Sequence, residues 1–145
     1  MRKSLLAPAL LLFALSAHAQ TDPALAAAAK EPGAVVKPSG LVFLSQRDGS
    51  GASPGATDTV RVNYRGTFPD GREFDSSYKR GEAIEFPLDG VIKCWTEGVQ
   101  LMKVGGKARL TCPPGIAYGT RGAGGVVPPN ATLVFEVELL GIKGR

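Results

Sequence analysis

The sequence predicts an α+β fold: a curved antiparallel β-sheet of five or six strands wrapped around one short α-helix. Apolar and polar residues alternate in several short stretches, most cleanly in VRVNYRGTF at 60–68. Period two is what a strand with one buried face produces. A single stretch carries apolar residues at helical spacing, Ile92, Trp95, Val99 and Met102. Between the periodic stretches stand turn formers such as Pro69-Asp70-Gly71, Gly105-Gly106 and Pro113-Pro114, which separate short elements by tight connections. A chain of 145 residues has the length of one domain.

Taken in order, residues 1–19 read as an export signal peptide. Arg2 and Lys3 precede an apolar run from Leu5 to Leu15, and Ala17-His18-Ala19 offers small residues around a cleavage point after Ala19. Residues 20–39 read as an N-terminal tether with a short Ala-rich helix: Asp22 is a capping residue, Pro23 suits the first turn, and Pro32, Gly33 and Pro38 stop the helix. From Gly40 the domain proper runs to residue 145. It opens with a strand over Leu41–Gln46 and a loop of Gly, Ser, Ala and Pro from Asp48 to Thr57. In the next strand Val60, Val62, Tyr64 and Phe68 face inward, with Arg61, Asn63, Arg65 and Thr67 outward.

After the turn at 69–71, Arg72-Glu73-Phe74 begins a return strand, and Ala83–Leu88 forms another. The helix follows Asp89, about three turns long, ended by Gly105-Gly106, with Cys94 beside its apolar stripe. Lys107–Cys112 alternates again, Ala108, Leu110 and Cys112 inward and Lys107, Arg109 and Thr111 outward. A Gly- and Pro-rich loop from Gly115 to Asn130 holds Tyr118, Val126 and Val127, and a loop of that length in a small domain points to function. Leu133, Phe135, Val137 and Leu139 then line the last strand.

Composition narrows the chemistry. No run from residue 20 onward approaches the length of a membrane span. Removing Arg2 and Lys3 with the leader halves the formal net charge of +4, which leaves no electrostatic footprint for nucleic acid. His18, the single histidine, leaves with the leader. Ser-His-Asp hydrolysis, Cys-His proteolysis and His-ligated zinc then all lose a required group. Cys94 and Cys112 are too few for a four-sulfur metal site, and in an oxidising compartment they can form a disulfide that would stabilise the chain by about 3 kcal/mol; two buried free thiols are the alternative. No metal or cofactor is expected.

Nucleotide motifs fail on inspection. Gly105-Gly106-Lys107 is followed by Ala108, and Leu101 stands where a phosphate-binding loop needs its first glycine. Gly122-Ala123-Gly124 precedes Pro128-Pro129 rather than a helix. Glu73 and Glu82 read as solvated strand ends beside Arg72, Lys79 and Arg80, whereas Asp75 follows Phe74 where a strand ends.

Read together, VRVNYRGTF, GREFDSSYKRG at 71–81, VIKCWTEGVQLMKVGGKARLTCPPGIAYG at 91–119 and VVPPNATLVFEVELLGI at 126–142 resemble the FKBP-type peptidyl-prolyl cis-trans isomerases, in order, over about residues 40–142. The resemblance implies an apolar pocket for a proline ring, with Trp95 as its floor and Tyr64, Phe74 and Phe135 as aromatic walls. It implies that the Ile92 backbone N–H and the Tyr118 hydroxyl bind peptide carbonyls, and that Arg80 and Tyr64 hold the Asp75 carboxylate. Val91 matches the segment before the helix, and Phe86, Val126 and Val127 complete the rim. Periodicity alone would assign Trp95, Phe135 and Val91 to ordinary core packing. Ile84 stands where many members carry phenylalanine and Ala123 where some carry a loop histidine, so the rim is slimmer here; the helix-start Cys94 also departs, where a glycine can stand.

The implied activity is rotation about X–Pro bonds in exported proteins, in a bacterial periplasm. The implied partners are proline-containing unfolded or partly folded polypeptides, and macrolide inhibitors such as tacrolimus and rapamycin. The other reading of the same groove is a non-catalytic holdase or peptide-binding module. The sequence has no long helical N-terminal region, so a monomer is expected.

Overall fold

The structure, a computed structural model, describes residues 22–144, and the signal-peptide reading at 1–19 lies outside the described residues. One antiparallel sheet dominates. Its strands are β1 (Val35–Val36), β2 (Val42–Arg47), β3 (Thr59–Thr67), β4 (Glu73–Ser76), β5 (Ile84–Pro87), β6 (Lys107–Cys112) and β7 (Leu133–Ile142). The spatial order is β1-β2-β6-β7-β3-β4, and β5 pairs with the first half of β3 while β4 pairs with its second half. The helices are α1 (Pro23–Ala29), α2 (Ser77–Arg80) and α3 (Lys93–Gln100), with 3-10 turns at Leu88–Gly90 and Pro114–Ile116.

The alternation read from the sequence is the pleat of this sheet. Val60, Val62 and Tyr64 on β3, Ala108, Leu110 and Cys112 on β6, and Leu133, Phe135, Val137 and Leu139 on β7 are all buried. Register sets them in rows across the strands: Phe135 opposes Leu110 on one side and Gly66 on the other, and Val137 opposes Ala108 and Tyr64. Trp95 and Val99 on α3 close the concave face. Leu41, Val60, Val62, Leu110 and Val137 expose none of their surface, so the core lies between α3 and the central strands. A β-bulge between Gly66 and Thr67 ends the regular pairing with β4 and turns the strand toward Phe68.

Several elements depart from the sequence reading. Helix α3 has eight residues, not three turns, and Met102 lies beyond it. The Leu101 and Met102 N–H groups bond back three residues, to Gly98 and Val99, tightening the last turn before Gly105 takes a φ of 96°. Helix α2 carried no periodic signal because it is one turn long; Ser76 caps its start and Gly81, at φ 77°, ends it.

The alternation puts Thr67 and Thr111 on the outer face, yet they expose only 7% and 3% of their surface. Helix α1 lies over them. Asp22 accepts the Ala24 N–H as the helix cap and also binds Thr132, while Glu31 pairs with Arg109 on β6. The five alanines of α1 are short enough to lie close to the sheet. The described part of the tether, residues 22–39, therefore contributes both an outer helix and the edge strand β1.

Cys94 is fully buried and bonded to Cys112, with a Cα–Cα distance of 5.8 Å. The bond joins the first turn of α3 to the end of β6.

Candidate functional site

A cleft of about 480 Å³ opens where the start of α3 meets the sheet. Trp95 forms its floor. The indole stands nearly perpendicular to three neighbouring rings, at 5.2 Å from Tyr64, 5.3 Å from Phe86 and 5.5 Å from Phe135. Each edge-to-face pair is worth about 0.5–1.5 kcal/mol beyond its buried area. Phe74 continues the wall, 5.6 Å from Phe135 and 5.0 Å from Phe68.

These rings come from elements far apart in sequence. Tyr64 is on β3, Phe74 and Asp75 on β4, Phe86 on β5 and Phe135 on β7, while Val91 and Ile92 lead into α3. Tyr118, 40% exposed, stands at the mouth on the long loop. Ile92 is the cap residue of α3, so its N–H belongs to the first-turn groups that a helix start leaves without intrahelical acceptors.

One polar cluster borders the rings. The Tyr64 hydroxyl donates to Asp75 Oδ2 at 2.5 Å, and Arg80 donates to Asp75 Oδ1 and to the Tyr64 oxygen, each at 2.9 Å. The Ser76 N–H also donates to Asp75 Oδ1. Burial, reinforced by the adjacent Asp75, pushes the Tyr64 phenol up to about 12. Burial alone would raise the Asp75 carboxyl, but the Tyr64 hydroxyl and the Arg80 guanidinium outweigh it and hold the carboxyl below its ordinary value. Hydrogen bonds to Asp75 and Tyr64 raise Arg80 further, so the guanidinium stays charged. The trio is a charge-compensated frame, and none of its members titrates near neutrality.

Other expected rim residues stand off the cleft. Val127 is buried at 4% because its backbone pairs with Ala123 and turns its side chain into the core, while Val126, at the tip of that turn, is 54% exposed. Ile84 pairs opposite Val62 and is half-buried against the core, outside the lining of the cleft. Arg80 acts on the cleft only through Tyr64 and Asp75.

Three residues at or beneath the cleft carry no periodic signal in the sequence. Gly90 lines it from the 3-10 turn before α3, where Asp89-Gly90 was the only local signal. Gly66 makes room beneath two rings, since a Cβ there would lie 2.7 Å from Phe74 and 2.9 Å from Phe135. Ser77 holds β3 in place, accepting the Tyr64 N–H and donating to Asn63 Oδ1, both at 2.9 Å. No periodicity marks such partners, because they depend on what the fold brings opposite.

Among the described residues no group of three His, Cys, Asp or Glu side chains could hold a metal ion, and no helix is long and apolar enough to cross a membrane. A second cleft of about 430 Å³ lies between β2, β6 and the turn after α3, bordered by Arg47, Lys103 and Lys107 and with Phe43 as its single aromatic residue.

Fold and cleft together define a small α+β domain with an aromatic pocket at the junction of helix and sheet. Comparison with known proteins makes that class specific. Residues 51–140 match the family described as FKBP-type peptidyl-prolyl cis-trans isomerase, and the chain belongs to that family. The chain is 54% identical over 115 residues to the FKBP-type peptidyl-prolyl cis-trans isomerase FkpA of Escherichia coli, an alignment covering 79% of this chain and 42% of that protein. Thus it spans less than half the length of that relative. The crystal structure of FkpA from Escherichia coli superposes with a TM-score of 0.80 at 51% identity, covering 82% of this chain and 55% of that one. The crystal structure of a peptidyl-prolyl cis-trans isomerase from Pseudomonas syringae gives 0.78 at 36% identity, covering 96% and 98%. The expected fold class is the observed one.

Proposed function

We propose that this chain accelerates cis–trans rotation about X–Pro bonds by non-covalent binding in the aromatic cleft, with proline-containing unfolded or partly folded polypeptides as substrates. The observation that carries the proposal is the Trp95 floor, ringed edge-to-face by Tyr64, Phe86 and Phe135 in a cleft that also presents the Ile92 N–H segment and Tyr118.

Rotation about an X–Pro bond crosses a barrier near 20 kcal/mol and breaks no covalent bond, so no nucleophile is required. The planar amide separates charge between oxygen and nitrogen; twisting removes that separation, and an apolar cleft favours the twisted form relative to water. In this reading Trp95, Phe74, Phe86 and Phe135 grip the proline ring, with Val91 beside it, while the Ile92 N–H and the Tyr118 hydroxyl hold carbonyls as the bond turns. Tyr64, Asp75 and Arg80 keep the wall rigid. A thousandfold acceleration needs about 4 kcal/mol of preferential transition-state stabilisation, within reach of a few aligned donors in a dry site.

The leader sequence and the Cys94–Cys112 bond support export to an oxidising compartment, the bacterial periplasm. Tacrolimus and rapamycin would compete for the same cleft, and the chain would act as a monomer. A protease-coupled isomerisation assay on an Ala-Pro peptide, beside an aggregation assay on a proline-free client, tests the function. Turnover lost in Trp95→Ala supports it. Equal turnover in a folded Trp95→Ala chain, or protection of the client without turnover, refutes it.

A further inference from the structure

The floor of the cleft is held without a directional bond of its own. Trp95 is buried, yet its indole Nε1 has no hydrogen-bond partner among the described residues. Its three ring contacts fix separation and tilt. Those rings stand on β3, β5 and β7 and hold the indole by packing alone, so its position also depends on the backbone of the first turn of α3.

That first turn has little local support. Helix α3 is eight residues long, too short to persist alone; its cap residue Ile92 makes no side-chain capping bond, and no acidic residue lies in the first turn. Thr96 donates to the Leu88 carbonyl at 2.5 Å, joining the helix to the turn before it, not to the sheet. Two features join it to β6. At Gly98 the helix approaches so closely that a Cβ would lie 2.8 Å from Leu110, and at Cys94 the disulfide reaches Cys112. Both anchors fall on the inward row of the same strand, and the covalent one is adjacent to Trp95. It is also one residue beyond Lys93, which follows Ile92.

We propose that the Cys94–Cys112 bond is a positioning device for the cleft, fixing the first turn of α3 against β6 so that the Trp95 indole and the Ile92 N–H keep their places. Activity as one readout rests on the isomerase reading above; a spectroscopic readout does not. Trp95 is the single tryptophan of the chain, so its emission reports the floor alone.

The test compares three forms well below the unfolding midpoint of the least stable: the oxidised chain, Cys94→Ala/Cys112→Ala, and wild-type chain unfolded, reduced and refolded in dithiothreitol. In the reduced form two electrons and two protons from dithiothreitol, itself oxidised to its cyclic disulfide, convert the bond to two thiols. Both forms lacking the bond are expected to keep the far-ultraviolet circular dichroism of the oxidised chain. Their Trp95 emission should shift to the red and become more open to acrylamide quenching. Their kcat/KM should fall by about tenfold, the order expected when a gripping group is displaced by a fraction of an ångström. Unchanged emission, quenching and kcat/KM beside a lower melting temperature would overturn the proposal, leaving the bond a global staple. Failure of both forms to fold would overturn it too. An inactive oxidised chain would refute the isomerase reading, and emission and quenching would then decide the positioning role by themselves.

Discussion

Replacing Gly66 by alanine should both destabilise the fold and spoil the cleft. A methyl group at this position would meet Phe74 Cζ at 2.7 Å and Phe135 Cε1 at 2.9 Å, where ordinary contact begins at 3.4 Å. The two rings must therefore retreat by about 0.7 and 0.5 Å. Phe74 has Phe68 at 5.0 Å and Phe135 at 5.6 Å, so the free direction for retreat is the cleft. Overpacking of this kind costs about 1–3 kcal/mol, and alanine in place of a strand glycine returns about 0.5–1 kcal/mol, which leaves a net loss centred on about 1 kcal/mol and at most about 2.5 kcal/mol. For a chain of this size that lowers the melting temperature by about 3 °C at the centre of that range and about 8 °C at its upper end. Thermal unfolding measures the loss, and the coupled peptide assay should show a raised KM. Gly141→Ala supplies the control: nothing lies within 4 Å of its added methyl and its φ is not in the left-handed region, so it should stabilise by about 0.4–1 kcal/mol. A Gly66→Ala chain that melts at or above the wild-type temperature with an unchanged KM would refute the packing argument.

Further perturbations probe the polar frame, the outer helix and the disulfide. The folded Asp75 carboxyl titrates below its ordinary 3.8, so its contribution to stability is fully present above that value and is lost as pH falls through the lower folded value. Asp75→Asn should lower the melting temperature at neutral pH and flatten its decline below about pH 4, followed by calorimetry across the acid range. The Tyr64 phenol, raised from 10.0 to about 12, contributes stability below pH 10 that is lost as pH rises through the folded value; an ultraviolet titration should show a late phenolate phase that Tyr64→Phe removes. Asp22→Ala deletes both the cap of α1 and the bond to Thr132, which should cost about 1 kcal/mol or more and admit proteases at 22–34 before the sheet unfolds. Loss of the Cys94–Cys112 bond, which closes a separation of 18 residues, should destabilise by about 3 kcal/mol on the chain-entropy model. Non-reducing and reducing melts that coincide would contradict that value.

Much of the cleft could be read from residue types and order. Trp95, Tyr64, Phe74, Phe86 and Phe135 do share one wall, and Asp75 is joined to Tyr64 and Arg80 as the motif GREFDSSYKRG implied. The loop residues were harder. Val126 and Val127 are neighbours of the same chemical kind, but the Ala123–Val127 bridge sends one into solvent and the other into the core. Ile84 has a place in the family pattern, while its half-buried packing depends on its register opposite Val62.

By itself the sequence determined six of the seven strands, most of the helical stripe and the inward row, because a pleat of period two and a turn of 3.6 residues impose themselves locally on any chain that must bury one face. It also determined the ring-lined, histidine-poor chemistry, since residue type needs no partner to be known. Tertiary structure alone decided that Gly66 must stay bare beneath two phenyl rings, that Cys94 reaches Cys112, and that α1 covers Thr67 and Thr111. Each of these depends on which atoms arrive opposite one another across the sheet. Distances of that kind belong to pairs of elements far apart in the chain, and no single stretch of residues carries them.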